Sequence, residues 1–427
     1  MTPRRTRARS RSSSGASEVR LLHTADWHIG RTLMGQPRDE DIRAAIEEVV
    51  GIARAELPDL VVHAGDLFDG PRPAYDDLRW GLDALRELAA VAPTIVICGN
   101  HDAPALFALL DRLLGQDSRL RFVDRARPPE EGGVIELPGP RDEVIRIAPI
   151  PFIHANRIVP LVEDPATWMT SYADRVDRVQ RAVAAGLTRG YDAGRHVLLL
   201  AAHLFVTGAR FSTSERPLTV SDVYATHAER LPQVSYAAYG HIHRPQRLPG
   251  AVAGRYAGSV VPLDFGEADE RKEVVVVDAE PGRPARVETR PLTAGRPLRR
   301  IEGTLAEIHA IAPSVGRALC AVVVRTETVT PDLSQRVAEL LPDAVLLSVQ
   351  EDCAATRVRV LTEADAAGDR EPTFPELFRD FVGARGTRAG SVDRVVRYFD
   401  DLLAAVAQDE PVELADVVGL EPAPEAG

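Results

Sequence analysis

LLHTADWHIG, residues Leu21–Gly30, decides how the rest of the chain is read. The apolar run Val19 to Thr24 gives way to Asp26-Trp27-His28 and then to glycine, the pattern of a strand that ends in a loop carrying one carboxylate and one imidazole. The same event recurs along the chain. Leu60 to His63 runs into Gly65-Asp66-Leu67-Phe68-Asp69, and Thr94 to Cys98 into Gly99-Asn100-His101-Asp102. His203 closes the run Val197 to Ala202, and Tyr236 to Tyr239 precedes Gly240-His241-Ile242-His243. Strand alternation puts positions i and i+2 on one face, so His241 and His243 can point into a single site.

The chemistry that needs this residue set is phosphoester hydrolysis with two cations. A phosphodiester repels nucleophiles, and two divalent ions roughly 3.5 to 4 Å apart activate a water and neutralise developing charge. Asp26, His28, Asp66, Asn100, His203, His241 and His243 supply mixed oxygen and imidazole donors, with Asp66 able to give one oxygen to each ion. Any one of these motifs alone is weak, since a lone histidine at a strand end is more often a packed residue than a ligand. The conjunction of five in order, each ending a hydrophobic run, carries the reading.

These motifs resemble the calcineurin-like metallophosphoesterase superfamily. Within it, four stretches resemble the SbcD family, the nuclease subunits of bacterial SbcCD complexes: Leu21 to Gly30, AGDLFD at Ala64 to Asp69, YAGSVVPLDFGE at Tyr256 to Glu267, and a C-terminal region, Glu371 to Val406, that includes PTFPELFRDFV. The resemblance covers most of residues 19 to 408. It implies that Asp26, His28, Asp66 and His243 hold one ion, and that Asp66, Asn100, His203 and His241 hold the other. His101 is implied as the catalytic histidine near the leaving oxygen, with Asp69 placed to hydrogen-bond and orient it. The lesser alternative for Asp69 is a turn-stabilising aspartate. The family pattern is broken at Ala103-Pro104, where serine usually follows the Asn-His-Asp triplet, and across Gly70 to Trp80. Such loops line the cleft mouth and bear on substrate preference.

Length and composition set the frame. A chain of 427 residues can bury two or three domain cores. Uncharged runs such as Val197 to Ala209, with 13 residues, fall short of the roughly 18 that span a membrane. Met1 to Ser17 is rich in Arg and Ser without an apolar segment, which reads as a disordered leader or a misassigned start rather than a secretory signal. Cys98, Cys320 and Cys353 form no Cys-x-x-Cys pair and read as small buried residues in a reducing cytoplasm. The net charge of −12 opposes DNA at long range. Part of it lies in a tail, however, where Asp409, Glu410, Glu413, Asp416, Glu421 and Glu425 face no basic residue within 409–427. Candidate phosphate contacts are Arg125, Arg127, Arg210, Arg216, Arg296, Arg299 and Arg300, each also readable as an ordinary surface arginine.

Strand and helix patterns alternate in the first third, with helices expected over Glu40 to Ala55 and Tyr75 to Ala90, which implies a largely parallel sheet. Further strands at 133–137, 144–148, 197–202, 236–239, 255–257 and 273–278 come almost without helices between them. They suggest a second, more antiparallel sheet packed on the first. Asp174 to Thr188 reads as an amphipathic helix, and Pro149 to Trp168 as a substrate-facing loop. The expected fold is α/β, a metallophosphoesterase two-sheet sandwich flanked by helices, followed by a small α+β capping domain and C-terminal helices. The boundaries read as a tail 1–18, a nuclease domain 19–291, a capping domain 292–366, partner-binding helices 367–408 and an acidic tail 409–427. A further strand is expected at Arg357 to Leu361. Phe378, Phe381, Tyr398, Phe399, Leu402 and Leu403 lie on apolar faces that need either a partner or the chain's own body.

The leading functional reading is a two-metal DNA nuclease. No Walker A loop is present, and Lys272 lies in Glu-Arg-Lys-Glu, so any ATP dependence must come from another subunit. The resemblance implies that this subunit is an SbcC-type coiled-coil ATPase. It also implies a homodimer, manganese as the preferred ion with magnesium as the alternative, 3′ to 5′ exonuclease action on duplex ends and endonuclease action on single strands, in DNA repair or recombination. One alternative keeps the site but takes a small phosphoester or cyclic nucleotide. Another, a scaffold that holds DNA ends without cutting, predicts damaged ligands, whereas all seven positions and His101 are intact.

Overall fold

The computed structural model describes residues 18–115, 119–154, 172–215, 226–227, 233–356, 373–384 and 389–408. The tail 409–427, nearly all of the leader, the strand expected at Arg357 to Leu361, Arg216, and most of the Pro149 to Trp168 segment lie outside these residues.

The chain begins with β1 (Val19–Thr24), a short hairpin of β2 (Thr32–Leu33) and β3 (Gln36–Pro37), and helix α1 (Asp39–Glu56). Then come β4 (Leu60–His63), α2 (Tyr75–Val91), β5 (Thr94–Ile97), α3 (Pro104–Leu114) and β6 (Leu120–Val123). Helix α1 forms because Ile42, Ala45, Ile46, Val49, Val50 and Ala53 recur at helical spacing and are buried, while Asp39, Glu40 and Asp41 complement the dipole at its start. Helix α3 starts on Pro104, whose missing N–H costs nothing at that position. Next are β7 (Ile135–Pro138), β8 (Val144–Ile150), α4 (Tyr172–Thr188), β9 (His196–His203), β10 (Tyr236–Gly240), β11 (Gln246–Arg247), β12 (Gly254–Tyr256), β13 (Glu273–Ala279) and β14 (Arg286–Pro291).

The first sheet has the order β14-β13-β1-β4-β5-β6, with β1, β4, β5 and β6 parallel and β13 and β14 antiparallel at one side. The second has the order β11-β12-β10-β9-β8-β7. Here the expected antiparallel arrangement is corrected: β8, β9, β10 and β12 are mutually parallel, and only the edge strands β7 and β11 run against their neighbours. Parallel neighbours need long crossovers, which this chain supplies through α4 and the segment between β9 and β10.

Period-two alternation divides each strand between two cores. Leu22, Val61, Val96, Phe122 and Val276 pack beneath α1, α2 and α3, whereas Leu21, Val62, Ile95, Val275 and Val277 meet Ile145, Ile147, Val197, Leu199 and Ala238 between the sheets. On the far side, Ile150, Leu198, Leu200, Ala202 and Tyr239 pack with Val176, Val179, Val183 and Leu187 of α4. This gives helices, sheet, sheet and helix in layers, the sandwich expected from the sequence.

The chain divides into compact units at Leu298/Arg299. The second unit contains the three-stranded sheet β15 (Leu298–Gly303), β16 (Leu319–Thr326) and β17 (Val345–Cys353), in that order, with α5 (Leu305–Val315) and α6 (Leu333–Leu340). Its core is Ile301, Ile308, Cys320, Val322, Val324 and Val337. Thr304 and Glu307 close a capping box on α5. Helices α7 (Phe374–Ala384) and α8 (Ala389–Gln408) pack on each other, with Phe378 stacked on Phe399 at 3.9 Å between ring centroids. Part of the apolar face that needed a partner is thus satisfied within the pair, while Leu377, Val395 and Leu403 stay exposed. No helix among the described residues is long and apolar enough to cross a membrane.

Candidate metal centre

Parallel strands of both sheets end on the same side of the sandwich, and their C-terminal ends carry the predicted residues, as α/β folds place their sites. Asp26 and His28 follow β1, Asp66 follows β4, Asn100 and His101 follow β5, His203 ends β9, and His241 and His243 follow β10. The loops after β1 and β4 are tied together: the Asp26 N–H donates to the Gly65 carbonyl (2.9 Å), that of His28 to Asp66 (3.2 Å) and that of Ile29 to Leu67 (3.0 Å). Trp27, between the two candidate ligands, is turned into the helix-side core and donates its indole N–H to Thr24 Oγ1 at 2.8 Å.

Four of these residues hold backbone angles that side chains avoid. Asp26 (φ 51°), His28 (φ 47°), Asp66 (φ 53°) and His241 (φ 95°) are all in the left-handed region, a cost of order 1–3 kcal/mol each that concentrates at functional sites. Two motif glycines are required by close approach. A Cβ on Gly65, itself at φ +98°, would lie 2.1 Å from His203 Nδ1, and one on Gly99 would lie 2.1 Å from Asp66 Oδ1. Gly99→Ala is therefore expected to overpack the site and lower stability by about 1–3 kcal/mol, read from thermal denaturation of the metal-free chain.

The donor atoms converge as a ligand set would. One atom from each of Asp26, His28, Asp66 and His243 falls within 4.8 Å of the others, and all four side chains are buried. His28 Nε2 lies 3.1 Å from His243 Nε2 and 3.7 Å from Asp66 Oδ2. A second group adjoins it. His203 Nε2 lies 3.4 Å from Asp66 Oδ2 and 3.0 Å from Asn100 Oδ1, and His241 Nδ1 lies 2.8 Å from the same Asn100 oxygen. Asp66 thus touches both groups.

Hydrogen-bond accounting fixes the tautomers. His28 Nδ1 faces Asp69 Oδ1 at 3.1 Å and His203 Nδ1 faces the Ala64 carbonyl at 2.7 Å, and each oxygen can only accept. Both rings therefore donate from Nδ1 and turn Nε2 toward the carboxylate, amide and imidazole atoms across the gap, and such a buried gathering of ligand atoms is a place for a cation. Burial lowers His28 to about 4, which keeps it neutral. Burial also raises the Asp26 carboxyl, whereas at Asp66 the neighbouring histidines, His203 foremost, outweigh burial and hold it well below the carboxylate range. The donor set fits divalent ions that accept both oxygen and imidazole.

His101 is adjacent. Its main-chain N–H donates to Asp66 Oδ1 at 2.8 Å, its Nδ1 lies 2.8 Å from the main-chain carbonyl of Asp69, and its ring stands edge-on to His28 at 4.7 Å. Asp69 was expected to hydrogen-bond and orient His101; the contact found is through its carbonyl, while its carboxylate engages His28 and Arg31. Several supporting residues escaped the sequence reading. Asp102, buried, accepts from the N–H groups of Leu67, Phe68 and Gly99 and so locks the β4 loop to the β5 loop. Ser214, Glu215, Glu267 and Lys272 gather around His243. The signal for Lys272 was visible, since it is the only lysine in 427 residues. Of the arginines suggested for phosphate contact, Arg296 is engaged with Asp41 and Arg127 with Asp124, while Arg125 is largely exposed.

The sequence matches the calcineurin-like phosphoesterase profile over residues 19–245 and the type 5 capsule protein repressor C-terminal domain over 294–385. It is 32% identical to the SbcD subunit of the SbcCD nuclease of Bacillus subtilis over 284 residues, 66% of this chain and 71% of that protein. It is 28% identical to the SbcD subunit of Escherichia coli K12 over 312 residues, 68% of this chain and 73% of that one. Among solved structures, a dimetal phosphatase from Danio rerio aligns with 65% of this chain and 99% of its own at 15% identity and a TM-score of 0.36.

Proposed function

We infer the function from one premise: this chain belongs to the calcineurin-like phosphoesterases and, within them, to the SbcD family of nuclease subunits. It is a metal-dependent nuclease subunit that works in an SbcCD complex with an SbcC ATPase. The observation that carries the site assignment is the facing of imidazole nitrogens with one another and with carboxylate and amide oxygens across buried gaps of 3.0 to 3.7 Å.

The site reading assigns Asp26, His28, Asp66 and His243 to one ion and Asp66, Asn100, His203 and His241 to the other, with manganese preferred over magnesium. Bound there, a pair of divalent ions supplies charge neutralisation at the phosphoryl oxygens and an acidified water. The chain's own residues do the rest. Asp69 accepts from His28 Nδ1–H, so that Nε2 keeps its lone pair for an ion. The Asp69 carbonyl accepts from His101 Nδ1–H and so turns Nε2 toward the departing oxygen; as an imidazolium the ring would also carry a proton on Nε2, which it could give to that oxygen or use to stabilise charge there. Asp102 fixes the distance between the loops that bear Asp66 and Asn100.

At the finer level the reading is a 3′ to 5′ exonuclease on duplex ends and an endonuclease on single strands, acting in the cytoplasm as a homodimer in DNA repair or recombination. Residues 19–291 would form the nuclease domain and 292–366 the cap, with the α7–α8 pair docking the ATPase. Digestion of an end-labelled duplex with manganese, with and without the ATPase, tests this. Metal-dependent shortening from the 3′ end is expected. Intact duplex alongside hydrolysis of a small chromogenic phosphodiester would move the substrate to the small-phosphoester class.

A further inference from the structure

His243 is held at every polar atom except Nε2. Its N–H donates to Glu215 Oε1 at 2.9 Å, its carbonyl accepts from Lys272 Nζ at 2.9 Å, and its Nδ1 meets Ser214 Oγ, with Glu267 Oε1 at 3.5 Å. The Ser214 hydroxyl also reaches Glu267. Glu267 is fully buried, and its other oxygen accepts from Lys272 Nζ at 2.7 Å, Leu263 N–H at 3.1 Å and Ser259 Oγ at 3.3 Å.

Lys272 stands out in a chain that otherwise uses only arginine, and it is 4% exposed. Its ammonium has three protons and three acceptors: Glu267, Glu270 at 2.9 Å, and the His243 carbonyl. A planar guanidinium fork suits bidentate partners and would not reproduce this three-way geometry on a compact point charge. Burying such a charge costs several kcal/mol unless its partners are well placed, so a lone buried lysine beside a candidate ligand calls for a role.

That role follows from which atoms can donate. Glu267, ionised opposite Lys272, can only accept, so the Ser214 hydroxyl donates to it. That leaves Ser214 Oγ a lone pair for a His243 proton on Nδ1, which in the neutral, ligating form of the ring keeps the lone pair on Nε2, the atom that faces His28 Nε2 at 3.1 Å. We propose that Lys272, Glu267 and Ser214 form a positioning relay that fixes the tautomer and orientation of His243 and thereby sets the affinity of the site for its ion. The relay rests on the metal-centre reading above. None of the three is a catalytic residue; each acts through His243, as groups behind metal-binding histidines do.

The test compares the full-length wild type with Ser214→Ala and Glu267→Gln. Manganese titration by calorimetry gives affinity and stoichiometry, nitrogen-15 NMR gives the His243 tautomer in the metal-free chain, and circular dichroism checks the fold. Wild type is expected to show the Nδ1–H form alone. Ser214→Ala is expected to mix the tautomers and weaken one ion of the pair by about 10- to 100-fold while the other binds normally. Glu267→Gln is nearly isosteric but can donate to Ser214, which reverses the relay, moves the proton to Nε2 and weakens the same ion further. Ser214→Ala, which removes one half-buried oxygen, decides the matter alone if Glu267→Gln does not fold. A folded Ser214→Ala chain with the wild-type tautomer and both affinities within about twofold of wild type would overturn the relay. A wild-type chain that binds no manganese would instead overturn the metal-centre reading, and the relay with it.

Discussion

His101→Ala is expected to keep both ions and the DNA while turnover falls by about 10²- to 10⁴-fold, the range for loss of a positioned acid or base. The prediction follows from how the residue is attached. The contact that ties His101 to Asp66 is its main-chain N–H, at 2.8 Å from Oδ1, and alanine retains it. What alanine removes is the ring, held by the Asp69 carbonyl at Nδ1 and by edge contact with His28. That ring supplies no donor atom to the Asp26, His28, Asp66 and His243 group. Single-turnover cleavage beside a metal titration separates the two properties, and an equal loss of metal in the variant would contradict the division of roles.

Asp66→Ala should have the larger effect, abolishing metal occupancy and with it all detectable cleavage. Among the described residues Asp66 is the one assigned to both donor groups, with Oδ2 at 3.7 Å from His28 Nε2 and at 3.4 Å from His203 Nε2. Without it, the remaining donors separate into two sets that share no charge, and two like cations have nothing between them. Asp66→Asn keeps the shape and an acceptor for the His101 N–H, so it should fold and still lose the ions, as metal analysis of the purified protein would read. Full occupancy in Asp66→Asn would place the bridge elsewhere.

Much of this was legible in the sequence because the fold puts function where patterns change. Val19 to Thr24 and Leu60 to His63 are strands over their full expected lengths, since each is built on Val and Leu and runs out into a loop. All seven candidate ligands and His101 arrive on one side of the sandwich because each directly follows or ends such a run. What could not be read depends on partners distant in the chain. The parallel order of the second sheet rests on pairings between residues far apart in the chain, Val144 with His196 and Tyr236 with Leu199. Helix α3 was missed because PALFALLDRLL is almost continuously apolar and shows little periodicity, and β14 because it is an exposed edge strand between Pro-rich turns. Asp102 and the Lys272 relay act on residues 29 to 35 positions away, which no local pattern reveals. The left-handed backbones of Asp26, His28, Asp66 and His241 likewise arise from tertiary constraint, not from a local preference for that conformation.

The central claim is a dinuclear metal centre bridged by Asp66, and metal stoichiometry tests it most directly. Equilibrium titration of the full-length, metal-stripped chain with manganese, repeated on Asp66→Asn, is expected to give two ions per wild-type chain and none held by the folded variant. Wild-type protein that saturates with a single ion, or an Asp66→Asn chain that still takes up two, would contradict it.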